Sequence, residues 1–168
     1  MSIKKIIFIV LFSCSYSYAN SAEELKSLGK FKDWESFILL KEGAKTCFAQ
    51  SIPVVKAPKK LKRDPSRLFV SFRPNENIKN EISVTNGYEF KLKSPVSAKS
   101  GKKSYDLFSK GRFAWVVDNQ DEKKLISTMK KASRLMIIGN SEKGTQTTDH
   151  YSMMGFTKAY NAAKKSCS

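Results

Sequence analysis

Apolar and polar positions alternate through most of the chain. At 68–72, Leu68, Val70 and Phe72 fall on one side and Phe69 and Ser71 on the other, the period of two that marks a half-buried strand. Similar short runs occur at 34–40, at 46–52 up to the break at Pro53, and at 81–85, 88–92, 96–98, 105–108 and 113–117. Asn86-Gly87 lies between two of these runs and predicts a tight hairpin, since both residue types tolerate the positive φ of a two-residue turn. Ser100-Gly101 predicts a second turn, and the polar residues 22–28 carry some helical character. Strands recurring every 8–12 residues predict an antiparallel sandwich or barrel.

The period then lengthens. Asp118 or Asn119 caps a predicted helix with Asp121 and Glu122 in its first turn and Lys130 and Lys131 in its last, the charge order that suits a helix dipole. Leu125, Met129 and Ala132 mark its inner face. Two further strands, at 135–138 and 147–153, surround a turn at 139–144. Phe156, Tyr160, Ala163 and Cys167 then recur at helical spacing. The expected fold is mainly β: an antiparallel sandwich or barrel-like domain with one helix between late strands and a second at the C-terminus.

The first residues fall outside that pattern. Lys4 and Lys5, an apolar run at 6–12 and the small-x-small end Ser17-Tyr18-Ala19 fit a secretory signal peptide, cleaved between Ala19 and Asn20. The run is too short to span a bilayer. A lipoprotein-type signal acylated at Cys14 is the minor alternative. The expected organisation is therefore a leader at 1–19, a lead at 20–29 and one domain at 30–168. Losing Lys4 and Lys5 takes the basic residues from 31 to 29 and the net charge from +16 to +14. Of three cysteines only Cys47 and Cys167 remain, and in an oxidising compartment such a pair predicts a disulfide.

Candidate chemistry is sparse. His150, beside Asp149, is the only histidine; it reads as a surface residue of an edge strand, and no Gly-x-Ser-x-Gly elbow supplies it with a nucleophile. One histidine and two bridged cysteines cannot assemble a zinc site, so no metal or cofactor is expected. Gly139-Asn-Ser-Glu-Lys-Gly144-Thr145 lacks the lysine after its second glycine and precedes a strand, so it reads as a hairpin turn and not as a phosphate loop. No two of the 15 acids stand out as a catalytic pair.

Basic clusters are the one feature above background: Lys56, Lys59, Lys60, Lys62 and Arg63; then Lys99, Lys102 and Lys103; then Lys110 and Arg112. With prolines at 53, 58 and 65, the first reads as an exposed loop and a candidate anion-binding site. Such charge attracts acidic glycans, lipid head groups or nucleic acid, although a solvated surface is the plainer account. Nucleic acid is disfavoured because Phe69, Phe72 and Trp115 read as core and not as an exposed stacking platform.

Several tracts resemble the invasion-associated locus B (IalB) family of exported bacterial proteins. They are Phe31-Lys-Asp-Trp34 and Lys45-Thr-Cys-Phe-Ala-Gln-Ser51, then Arg63-Asp-Pro65, Phe69-Val-Ser-Phe-Arg-Pro74 and Asn80-Glu-Ile-Ser-Val84. Phe113-Ala-Trp115, Gly144-Thr-Gln-Thr-Thr-Asp149, Tyr151-Ser152 and Gly155-Phe-Thr-Lys-Ala159 continue the likeness, which covers about 30–167. The resemblance implies export, a β-rich fold and, in some pathogens, a part in entering host cells; it supplies no catalytic motif. Members with more cysteines exist, and this chain keeps only Cys47 and Cys167. The expected function is a non-enzymatic binding role at the cell envelope, toward an anionic component or a protein. The alternative is a hydrolase of envelope polymers using a carboxylate pair.

Overall fold

The computed structural model describes residues 23–168; the predicted leader, its cleavage point at Ala19–Asn20 and Cys14 lie outside the described residues. The elements run β1 (Glu24–Phe31), β2 (Trp34–Lys41), β3 (Ala44–Ser51), β4 (Val55–Ala57), β5 (Arg67–Arg73), β6 (Ile78–Thr85), β7 (Val96–Ser100), β8 (Lys103–Lys110), β9 (Phe113–Trp115), α1 (Asn119–Lys131), β10 (Arg134–Asn140), β11 (Gln146–Ser152) and α2 (Phe156–Ser166). The strands form one open, antiparallel sheet in the order β1-β2-β3-β5-β6-β9-β8-β7-β10-β11-β4, so the mainly β expectation is met.

Although its edges do not pair, the sheet folds round on itself. Only three residues separate β3 from β4, which lies at the far end of the strand order. Trp34 Nε1 on β2 donates to the Ser152 carbonyl on β11 at 2.8 Å. The inner faces of the two halves thus meet in one core that includes Trp34, Val70, Ile82, Leu135, Ile137 and Tyr151. Both helices pack on this inner side. From α2, Phe156 lies against Trp34 (ring centroids 4.8 Å) and Tyr160 against Phe72 (5.5 Å), while Leu125, Ile126 and Met129 are buried from α1. Asp118 caps α1, its Oδ1 accepting from the backbone N–H of Gln120 and Asp121 and so satisfying two of the free donors at the helix start. Gly155 starts α2 at φ 92°, and a Cβ there would lie 1.7 Å from the Phe31 carbonyl oxygen. Only glycine allows the helix to approach the β1–β2 turn that closely.

Six expectations are corrected. Residues 24–31 form an edge strand and not a helical lead, because cross-strand pairing with β2 (Leu25 opposite Leu39, Ser27 opposite Phe37) overrides a weak local preference. The Asn86-Gly87 hairpin does not form. Asn86 is buried and donates to Tyr88 and Thr147, and Gly87 accepts from the Asp64 N–H through its carbonyl. A Cβ on Gly87 would lie 2.0 Å from the Asp64 carbonyl oxygen, so this glycine serves close approach. Residues 88–92 cross the end of the sheet with a single bridge, Phe90 to Ser141. The 113–117 run is cut to β9. His150 is not on an edge, since β4 covers β11. Finally, Phe69 and Trp115 point away from the core, and of the three aromatics only Phe72 is buried within it.

Candidate functional site

The predicted cysteine pair meets. Cys47 sits fully buried on β3, Cys167 follows the last turn of α2, and their Sγ atoms are 2.08 Å apart across 120 residues of chain. Strand parity turns Cys47 inward with Ala49, and helical spacing brings Cys167 round to the same side as Phe156, Tyr160 and Ala163.

The predicted basic loop divides into two kinds of residue. Lys59, Lys60 and Lys62 are exposed. Lys56 is half-buried within β4, paired opposite Asp149 on β11. Arg63 is not available to a partner at all: its side chain is 3% exposed and that of Asp149 0%. The guanidinium forks onto both carboxylate oxygens, with Nη1 2.7 Å from Oδ2 and Nη2 bonded to Oδ1. Nη1 also reaches the Asn86 carbonyl at 2.6 Å and Ser66 Oγ at 2.8 Å. Burial alone pulls the Arg63 pKa down, but the hydrogen bonds and charge of Asp149 outweigh it and hold it above its ordinary value. Tyr88 and Thr147 share a 2.6 Å hydroxyl contact beside the pair. Tyr151, inward on the same strand, has its pKa pushed well up by burial and then by the Asp149 charge.

Around this anchor the structure gathers a second basic cluster. Arg112 pairs with Asp64, and Phe90 N–H donates to the Gly111 carbonyl at 2.9 Å. The 110–112 turn therefore stands beside the 58–66 loop. Lys143, on the β10–β11 turn, is exposed at the same end and, with Lys62, Arg63, Asp64, Tyr88 and Glu142, helps line a shallow cleft of about 330 Å³. Lys99, Lys102 and Lys103 do not join them. Their hairpin lies by α1 and β10, with Lys103 Nζ 3.4 Å from Thr128 Oγ1 and Ser100 Oγ donating to the Arg134 carbonyl at 3.0 Å.

A second recess, about 500 Å³, runs between β6 and the start of α1 and is lined by Asn80, Glu81, Trp115 and Glu122, among others. Glu122 is 7% exposed, and its carboxyl accepts the Ile82 N–H at 3.0 Å. Burial raises its pKa to about 7, with Glu81 adding to the rise and the Ile82 hydrogen bond opposing it. Arg73 engages both oxygens of Glu81, at 2.9 and 2.8 Å. A carboxylate pair thus lines a concavity, but both oxygens of one acid and one of the other are already engaged. Among the described residues no group of three or more His, Cys, Asp or Glu could hold a metal ion, and no helix is long and apolar enough to cross a membrane.

The sequence reading missed Asp149, Tyr88 and Glu122. Parity could have found Asp149: Thr147, Asp149 and Tyr151 share a face of their strand, and an inward acid requires a cation. Arg63, the single arginine of the basic loop, is the side chain suited to a buried bidentate contact.

Fold and site define a disulfide-closed, all-antiparallel β domain with a buried arginine–aspartate anchor beneath a basic end. The family model described as "Invasion associated locus B (IalB) protein" matches residues 34–164, and the chain belongs to that family. No curated protein and no solved structure matches the chain.

Proposed function

We propose that the protein is exported and works at the cell envelope as a non-enzymatic binding protein. Its contact with an anionic envelope component runs through Lys59, Lys60 and Lys62, joined by Lys110 and Lys143. The observation that carries this reading is the gathering of separate basic segments at one end of the fold, over an anchor that consumes Arg63 and leaves the lysines free. Clustered exposed charge raises the local concentration of a polyanion and its rate of capture. Arg63, in this reading, fixes the loop and does not touch the partner.

Changing Lys59, Lys60 and Lys62 together to Glu tests it on immobilised lipopolysaccharide and heparin at low salt. The expected result is loss of retention on both with an unchanged thermal midpoint; unchanged retention defeats the reading. The Glu81–Glu122 recess favours the hydrolase alternative, which predicts that Glu122→Gln abolishes clearing of a cell-wall suspension. Because Arg73 occupies both Glu81 oxygens, we place binding ahead of hydrolysis.

A further inference from the structure

Lys99, Lys102 and Lys103, which the lysine end leaves out, are the core of a second basic surface. Ser100 Oγ donates to the Arg134 carbonyl at 3.0 Å, and Lys99 stands opposite Met136, so the β7–β8 turn lies beside the start of β10. The same hairpin touches the later part of α1. Lys103 Nζ is 3.4 Å from Thr128 Oγ1, and the Tyr105 hydroxyl is 2.8 Å from the same atom. Lys131 follows Thr128 by three residues and so shares its side of the helix. Lys99, Lys102, Lys103, Lys131 and Arg134 are all exposed, and none is paired with an acid among the described residues. The acids of these elements do not answer them. Asp121 is held by Lys124 at 2.9 Å, Glu122 is buried, and Asp106 stands alone three residues along β8.

The strands set this hairpin end opposite the lysine end. β8 starts at Lys103 and finishes at Lys110, while β10 starts at Arg134 and leads into the turn that carries Lys143. Both pair antiparallel with β7, so they run in the same direction. The span of β8 separates the two ends by about 23 Å at the usual rise per residue. That exceeds the screening length of about 10 Å at 0.1 M salt, so each end attracts an anion by itself. The lysine end includes exposed Glu89 and Glu142 beside Lys59, Lys60, Lys62, Lys110 and Lys143, and the hairpin end includes Asp106. Each end keeps a positive excess.

We propose that the two ends hold one acidic polysaccharide chain between them, with the hairpin end as the second contact. The inference rests on the proposed function for the first contact. A flat anionic membrane laid against one end stands about 23 Å from the other, whereas a flexible chain reaches both. The hairpin end also has nothing to insert into a bilayer: among the described residues, none of the large exposed apolar side chains lies at 99–103 or 131–134. It offers no exposed ring on which a base could stack, since Tyr105 is buried. Once one end is engaged, the other meets the same chain at high local concentration, so losing either end loosens the whole contact.

The test measures binding of a heparin tetrasaccharide and of long heparin chains by calorimetry at 0.1 M salt. The unchanged protein should take two tetrasaccharides per molecule and hold a long chain at least tenfold more tightly than either. Lys102, Lys131 and Arg134 changed together to Gln should leave one tetrasaccharide per molecule and weaken long-chain binding at least tenfold, at an unchanged thermal midpoint. If that variant melts early, Lys102→Gln with Lys131→Gln replaces it and should weaken the long chain at least threefold. Failure of the lysine-end reading shows separately, as binding indifferent to changes at Lys59, Lys60 and Lys62. Three results overturn the proposal: one tetrasaccharide per molecule in the unchanged protein, long-chain binding indifferent to the hairpin-end changes, or phosphatidylglycerol vesicles or an oligonucleotide bound through both ends in preference to heparin.

Discussion

Two clamps close this fold, and they work by opposite physics. Cys47–Cys167 and Arg63–Asp149 each join segments far apart in sequence, 120 and 86 residues, and each lies against the core. The disulfide acts on the unfolded chain by removing the freedom of a long loop, so losing either sulfur forfeits the same quantity. The ion pair acts on the folded chain, where each charge has given up water and depends on the other. Halving the first clamp equals deleting it. Halving the second is worse than deleting it.

The largest expected effect comes from the disulfide. Cys47→Ser, Cys167→Ser and the double change should each cost about 4–5 kcal/mol, because a loop of this length carries about that much closure entropy. Urea midpoints without reductant read it, and mass spectrometry showing two free thiols in the untreated protein contradicts the bridge. Next comes the ion pair. Arg63→Met should cost about 3–5 kcal/mol by stranding the Asp149 carboxylate, whereas Arg63→Met with Asp149→Leu should recover much of that loss. A double variant as unstable as the single one would falsify the distinction between the clamps.

A smaller effect sharpens the comparison by showing a buried acid with no cation to answer it. Glu122 is raised to about 7 from an ordinary 4.5, so between those values the folded chain binds more protons than the unfolded one. Stability from this group therefore falls as pH rises from about 4.5 to 7, by on the order of 1–2 kcal/mol. Glu122→Gln keeps an acceptor for the Ile82 N–H and should flatten that fall in thermal melts at pH 5 and pH 8. The smallest effect is on the exposed lysines: Lys59, Lys60 and Lys62 changed to Gln should move stability by less than about 0.5 kcal/mol.

Sequence legibility follows the same divide between local and distant causes. The alternation at 68–72, the Asp118 cap and the Phe156–Tyr160–Ala163 stripe were readable because period and capping are set within a few residues. The Cys47–Cys167 bond was readable because only two cysteines remain after the predicted leader. The Arg63–Asp149 pair was not, since neighbouring lysines made Arg63 look solvated and its partner lies 86 residues away. Asn86-Gly87 misled for a related reason: the turn signal is local, but contacts with Asp64 and Thr147 decide the path. Phe69 and Trp115 misled because alternation gives two faces without saying which one the helices cover.

In the proposed contact Arg63 builds the basic end and its neighbouring lysines do the binding. Salt dependence of heparin binding measures that most directly, since each cation that releases a counterion adds roughly one unit to the slope of log K against log salt. Lys59/Lys60/Lys62→Gln should lower the slope by about 2–3 units, while Arg63→Met with Asp149→Leu, kept well below its melting temperature, should leave it unchanged. A slope untouched by the lysine changes, or lowered by the buried double change, contradicts it.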